Sequence, residues 1–526
     1  MHPLALLLAC ARPVIGTLPE HHLAFGGDLM LGQQLNRVLD DGEARRKVFA
    51  DLTLLRTADL SLVNGEGVIA AGGVLAGKGE VAPHTWRVRP AAIDMLVEAG
   101  IDVVAQGNNH AGDYGPAAQR ETIQRLRSAG LDATGAGLNL ADARTPVYRT
   151  VGDTVVAIIG IDLTGVRAYG AGPDTPGTFT ANGEDPAAQD EIVDRLMAAA
   201  ARAREHAHVV LLTPHWGPNW RTEPLPILRT LARRLIEAGY DGILGHSAHT
   251  LQGVELIHGK PVIYDAGNIA LTYDYDDAAH RGILYDLSFT RAGITAVEAH
   301  PLTLKANLSR RATGRKATRI LDEWDERTSA MGTAYTDSGA ARRITCTPGW
   351  VEGPWGTPEP PVRTADHVEL APEHRWVSSL PIGATPADVR WANGVRLVGY
   401  SLLVPAVAGT KAAQVVTLYL TAEAPLPASL ELTLRATNGR GTEYDRHQPG
   451  DWGLPADQWL PGRILVDRAL FAFSLDPATG IRFDAGLREP PVFSTLPVVD
   501  RLVTLGAIGM DPRAPRLATL LARPWP

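Results

Sequence analysis

Cysteine is almost absent from this 526-residue chain: Cys10 and Cys346 are the only two, too few for a disulfide framework or a thiolate-built zinc cluster. Any metal has to be held by nitrogen and oxygen. Long apolar runs are missing as well: none reaches the ~18 residues that a membrane span needs, so a soluble mature body is expected. Nor is there a block of one charge. Fifty basic and 58 acidic residues are interspersed to a net charge of −8, which advertises no nucleic-acid track.

Residues 4–9 form a short apolar stretch that ends at Cys10, with no Lys or Arg before it. This is read as an export segment over 1–20, with Cys10 as a lipid attachment point and the cell surface or exterior as destination. A frayed N-terminus or a misplaced start is the other reading, and it leaves the protein in the cytoplasm.

From residue 23 to about 304, β-like runs alternate with longer helical patterns, the signature of an α/β layered unit. Strands are expected at 23–25, 60–63, 103–105, 155–161, 209–212, 243–244 and 262–264. Helices are expected at 33–55, 90–99, 116–129, 187–205 and 224–238. Past 305 the periodicity weakens, and 347–361 is rich in Pro and Gly. Runs at 395–400, 415–421, 429–436, 463–470, 481–486 and 503–507 then predict an all-β sandwich. The expected organisation is an α/β domain over 21–305, a helical and Pro-rich linker over 306–365 and a β-sandwich over 366–526.

Polar residues recur where the apolar runs of the first domain end. Gly26-Gly27-Asp28, Asn64-Gly65-Glu66, Gly107-Asn108-Asn109-His110, His215-Trp216-Gly217 and Gly245-His246-Ser247-Ala248-His249 form the series. Each alone has a bland explanation. Asp28 reads equally as a helix cap, Asn108 and Asn109 as turn formers, and His246 and His249 as exposed loop residues. Together they supply two carboxylates, an amide and three or four imidazoles on adjacent strand ends. That set suits Mn, Zn or Fe better than Ca or Mg, which prefer all-oxygen shells.

The series, with Asp113-Tyr114-Gly115, residues 250–255 and Ile263-Tyr264-Asp265-Ala266-Gly267-Asn268, resembles the CapA-type poly-γ-glutamate capsule biosynthesis proteins over about 22–304. Their domain is similar to the calcineurin-like metallophosphoesterases. The resemblance implies a four-layer sandwich holding one or two divalent ions. It implies Asp28, Glu66, Asn109, His215, His246 and His249 as metal ligands, with His110 as general acid or charge stabiliser. Met30 stands where metallophosphoesterases carry a further His, Glu66 replaces a bridging Asp, and two residues separate His246 from His249 instead of one.

The resemblance further implies an anionic polymer such as poly-γ-glutamate as substrate and membrane-bound capsule synthesis proteins as partners. Arg87, Arg89, Arg167 and Arg221 lie near the motifs and are candidates for holding it, or are simply solvated. Asn108 and Trp216 are candidate substrate contacts, and Trp216 and Trp220 are placed to wall the site. Segments 71–84, with Lys78 and Glu80, and 169–185 are the expected mouth loops. The C-terminal portion looks like the β-sandwich appended to some membrane glycosyltransferases, on Leu397-Val398-Gly399-Tyr400, residues 416–420, His447-Gln448-Pro449 and residues 459–462. That resemblance implies an accessory module for carbohydrate or a surface, while Trp452 and Trp459 read equally as core aromatics. The expected activity is a metal-dependent hydrolase or transferase. A non-catalytic assembly scaffold, or a phosphoesterase of unrelated substrate, is the alternative.

Overall fold

The computed structural model describes residues 18–32, 35–78, 84–270, 280–305 and 307–348, and ten strands between 376 and 524. The N-terminal segment with Cys10, Glu80, residues 349–365 of the linker and 366–375 after it, and Trp452 and Trp459 lie outside the described residues.

Two sheets organise the first unit. The larger has ten strands. Its parallel part runs through His21–Met30, Leu60–Glu66, Val103–Ala105 and Asp132–Thr134, with Asn268–Ala270 also parallel to the first of these. Arg281–Thr290, Gly293–Lys305 and Arg342–Thr345 continue it antiparallel on the other side. The second sheet has six strands. Its parallel centre is Lys260–Ile263, Gly242–Leu244, Val209–His215 and Thr154–Asp162.

Alternation along the strands sets which face each side chain covers. Leu23, Phe25, Leu62 and Val103 of the larger sheet share one core with Ile158 and Leu211 of the second. The intervening residues point the other way: Ala24, Val63 and Val104 pack with Leu96 and Met95 of the helix Ala92–Ala99. On the second sheet, Ala157, Ile159 and Leu212 pack with Leu196 of Gln189–Arg204 and Leu231 of Pro226–Glu237. Each helix therefore buries an apolar stripe on a sheet face.

Two expectations are corrected. The single helix over 33–55 is three short ones, Asn36–Leu39, Gly42–Lys47 and Leu54–Thr57. Asp40 closes the first and Asp41 caps the second, its carboxylate accepting from Glu43 N and Ala44 N. Second, the packed unit does not stop at 305. Helix Gly314–Ala330 places Ala317, Ile320 and Trp324 in the core between the sheets, Trp324 Nε1 donates to Tyr285 Oη at 2.9 Å, and Arg342–Thr345 pairs with Gly293–Lys305.

Farther along, the six expected C-terminal runs are strands Val395–Leu403, Lys411–Ala422, Glu431–Asn438, Ile464–Ser474, Ile481–Arg488 and Val503–Ile508. With four others they make two five-stranded antiparallel sheets. Among the described residues no helix is long and apolar enough to cross a membrane.

Candidate metal centre

Parallel strands place their carboxyl ends at one edge of a sheet, and the polar series is delivered there. Asp28 sits at an irregularity of the first strand, where the register with both Asn268–Ala270 and Leu60–Glu66 shifts. Gly27 permits that kink: a Cβ on it would lie 2.0 Å from Gly267 O. Glu66 and His215 end their own strands. His246 and His249 occupy a tight loop after Gly242–Leu244, in which Ser247 and His249 take φ of 117° and 56°. Non-glycine residues in that region are uncommon and concentrate at functional loops. Two backbone donors hold the loop: Ser247 N to Asp28 Oδ2 at 3.1 Å and Ala248 N to Asp265 Oδ2 at 2.6 Å.

Asp28, Glu66, His215, His246 and His249 are all buried and fall into two groups sharing Asp28. One is Asp28 with His215 and His246, the other Asp28 with Glu66 and His249, each with its ligand atoms within 4.8 Å of one another. In the first group His215 Nδ1 and His246 Nδ1 are 2.8 Å apart, and they lie 3.9 and 3.8 Å from Asp28 Oδ1.

Protonation in that group follows from the neighbours. Thr213 Oγ1 donates to Leu244 O at 3.0 Å, so toward His246 Nε2, at 3.1 Å, it accepts. His246 therefore carries its proton on Nε2. His215 Nε2 donates to Asn109 Oδ1 at 3.1 Å, and the Asn64 amide approaches His215 Nδ1 as a donor at 3.3 Å. Both Nδ1 atoms thus present lone pairs to the same point, an arrangement that a cation resolves. Burial holds both rings neutral, lowering His215 well below its usual range and His246 to about 4.

The second group carries the unmatched charge. Among the described residues neither oxygen of Glu66 has a hydrogen-bond partner, although the side chain is buried. Its Oε1 faces His249 Nε2 at 3.5 Å, His110 Nε2 at 3.6 Å and His215 Nε2 at 4.0 Å. Burial pushes this carboxyl up to about 8, and the negative charge of Asp28 adds to the rise. Burial would also raise Asp28, but a hydrogen bond from His249 and the three surrounding imidazoles hold it well below the usual carboxylate range. His249 Nδ1 meets Asn268 Oδ1 at 3.0 Å, which turns Nε2 toward Glu66. Burial disfavours its charge, yet Glu66 and Asp28 overcome that and push it up to about 10. A buried carboxylate without a hydrogen-bond partner among the described residues, faced by three imidazoles, fits a divalent ion.

His110 stands beside this group without joining it. Its Nδ1 pairs with Asp113 Oδ2 at 2.7 Å, and Asp113 also accepts from Trp86 N and Tyr169 Oη. Lys78, from the expected mouth loop, places Nζ 3.5 Å from Asp113 Oδ1 and 3.2 Å from His110 Nδ1. Burial, then Lys78, lowers His110 well below its usual range. Trp86 packs on His110 and Trp220 on His249, each with centroids 5.5 Å apart, as two walls of a cleft of about 560 Å³ that opens onto the cluster.

Several expected contacts lie elsewhere. Asn109 orients His215 through its amide oxygen, and Asn108 donates to Asn64 Oδ1 and Gly65 O inside the fold. Trp216 is core, stacked on Tyr264 with Nε1 donating to Tyr264 O. Arg89 donates to Asn36 O and Asp40, and the Arg87 guanidinium lies 4.7 Å over the Tyr114 ring. Arg167 and Arg221 are exposed, and neither lines the cleft. Conversely, Asn64, Asp113, Asp265 and Asn268 sit in stretches already singled out, but no role was assigned to them. Thr213 gave one signal only, its place two residues before His215 on the same strand face.

Residues 22–273 match the family described as "Bacterial capsule synthesis protein PGA_cap". A probable polyglutamine synthesis accessory protein of Mycobacterium tuberculosis is 31% identical over 220 residues, 41% of this chain and 56% of that protein. The PGA biosynthesis protein CapA of Bacillus subtilis is 26% identical over 286 residues, 53% of this chain and 72% of that one. The capsule biosynthesis protein CapA of Bacillus anthracis is 32% identical over 176 residues, 34% and 41% respectively. The chain thus spans little more than half the length of the mycobacterial relative. A solved NAD nucleotidase of Haemophilus influenzae aligns over 59% of this chain and 63% of that one, at 14% identity and a TM-score of 0.29, too slight a likeness to carry an argument.

Proposed function

Residues 22–273 belong to the bacterial capsule synthesis protein family, and from that premise we propose that this is a CapA-like, metal-dependent hydrolase or transferase acting on an anionic polymer at the cell surface. The relatives' names speak of capsule and polyglutamate synthesis, which makes a polyglutamate-type chain the first substrate to test. On this reading the two sheets and their helices form a four-layer, metallophosphoesterase-like sandwich, and the C-terminal sheets an accessory β-sandwich.

The observation that carries the proposal is Glu66, a buried carboxylate with no hydrogen-bond partner among the described residues, facing three imidazoles. Asp28, His215 and His246 would hold one ion, and Asp28, Glu66 and His249 a second. A bound Mn, Zn or Fe ion supplies Lewis acidity and activates water at neutral pH. The protein's own part is orientation and proton handling. Thr213, Asn109 and Asn268 fix the imidazole tautomers, and Trp86 and Trp220 narrow the cleft. His110, with Nδ1 held by Asp113, turns Nε2 toward the cluster, where the neutral ring would first take a proton from the attacking water and then pass it to the leaving group.

A non-catalytic scaffold is the second reading. Met30 favours it, because an apolar side chain lines the cleft two residues after Asp28. Purified protein supplied with Mn or Zn and offered γ-glutamyl polymers and phosphoesters decides between them. The enzyme reading expects metal-dependent turnover that His110→Ala abolishes. Metal-loaded protein that binds polymer without cleaving it favours the scaffold.

A further inference from the structure

A basic group stands on the outer face of the second sheet, and none of its residues lines the cleft. Arg144 follows the short helix Leu140–Ala143, and its guanidinium lies 5.5 Å over the ring of Phe179. Ala143 and Phe179 share a core with Ile192, Leu196 and Ala199 of the helix Gln189–Arg204. Arg195 and Arg202, about two turns apart on that helix, flank this buried stripe on one side.

Arg195 Nη2 pairs with Glu191 Oε1, one turn earlier. Among the described residues neither Arg144 nor Arg202 has a carboxylate partner, and Arg144 Nε is buried without a hydrogen-bond partner. Burial, then the charges of Arg195 and Arg202, lower the Arg144 guanidinium from its usual range, with Glu191 opposing them. The Phe179 face accounts for one side of that guanidinium. It leaves the in-plane Nε–H unmatched and does not explain two further cations close by. Buried donors are as a rule paired, and like charges disfavour one another.

We propose that Arg144, Arg195 and Arg202 form a binding site for a phosphoryl group, free or carried on a lipid headgroup, separate from the metal centre. Arg144 donates through the sheltered Nε, and Arg202 closes the site from the exposed side. A phosphoryl group carries up to about two negative charges on three strong acceptor oxygens, which suits three guanidiniums better than a single carboxylate does. The planar fork of arginine matches it with paired, charge-assisted hydrogen bonds. Glu191 competes with the ligand for Arg195.

The test is titration calorimetry of the chelated full chain with inorganic phosphate in a chloride buffer, so that no bound metal takes the anion. A parallel arm measures sedimentation with vesicles of phosphatidylcholine, with and without phosphatidylglycerol. Wild type binds phosphate saturably, and Arg144→Gln and Arg202→Gln each weaken binding about tenfold. Arg144→Lys, which keeps the charge and loses the fork, recovers part of the loss. Glu191→Gln, which frees Arg195, tightens binding. Arg202-dependent sedimentation with phosphatidylglycerol vesicles assigns the group to a lipid headgroup, and phosphate binding without sedimentation assigns a free anion.

No binding in either arm overturns the site, as does an Arg202→Gln variant that binds as wild type does. Arg202 is exposed on its helix, so this variant decides the matter even where Arg144→Gln melts early. Failure of the metal reading leaves the result standing, because every titration is made without metal.

Discussion

His215 Nδ1 and His246 Nδ1 point lone pairs at each other across 2.8 Å, because Asn109 and Thr213 have taken the protons of the opposite ring nitrogens. Two neutral acceptors in van der Waals contact are repulsive until a cation sits between them and Asp28. Metal and fold are thereby coupled. Chelator-treated protein should melt lower than protein supplied with Mn or Zn, by about 2.7 kcal/mol of stability at a metal concentration a hundredfold above Kd. Differential scanning calorimetry with and without added metal measures it.

Thr213 offers a finer test of the same relationship. Thr213→Val removes the acceptor for His246 Nε2–H and frees the imidazole to take the other tautomer. Metal affinity should fall about 10- to 100-fold with little change in the far-UV spectrum. Titration calorimetry on chelated protein reads this directly, and unchanged affinity would assign the tautomer to something other than Thr213.

Glu66 makes a pH prediction for the metal-free protein. Its carboxyl is raised from 4.5 to about 8 on folding, so its favourable contribution is full below pH 4.5 and is lost as pH rises through 8. Glu66→Gln should flatten the stability profile between those limits. It should stabilise the chelated protein at pH 8 by roughly 1–3 kcal/mol, the usual cost of an unpaired buried polar group. Urea denaturation across pH tests it, and a variant with the wild-type slope would contradict the assignment.

Much of this centre was legible because its ligands end apolar runs and stand next to glycine, so local pattern and three-dimensional position coincide. What was not legible depends on distant packing. Nothing near Lys78 says that its ammonium ends beside Asp113 and His110, and nothing near Arg281 predicts Glu323, 42 positions away. Arg89 misled for the converse reason: adjacency to a motif said nothing of Asp40, which claims its guanidinium. The break at Asp41-Gly42 is a cap, Asp41 accepting from Glu43 N and Ala44 N, inside a stretch that reads as one helix from 33 to 55.

The extent of the first unit is a packing matter of the same kind. Trp324 is fully buried on a helix that sequence periodicity assigned to a linker. Trp324→Ala should cost about 3–5 kcal/mol, as expected for a large core side chain. A cost below 1 kcal/mol on chemical denaturation would place that helix outside the core.

The central claim is that Asp28, Glu66, His215, His246 and His249 hold a divalent ion, and elemental analysis of the purified protein tests it most directly. Wild type should retain Mn, Zn or Fe at one or two equivalents per chain, and the His246→Ala, His249→Ala double variant should retain none. Equal metal content in the two proteins would contradict it.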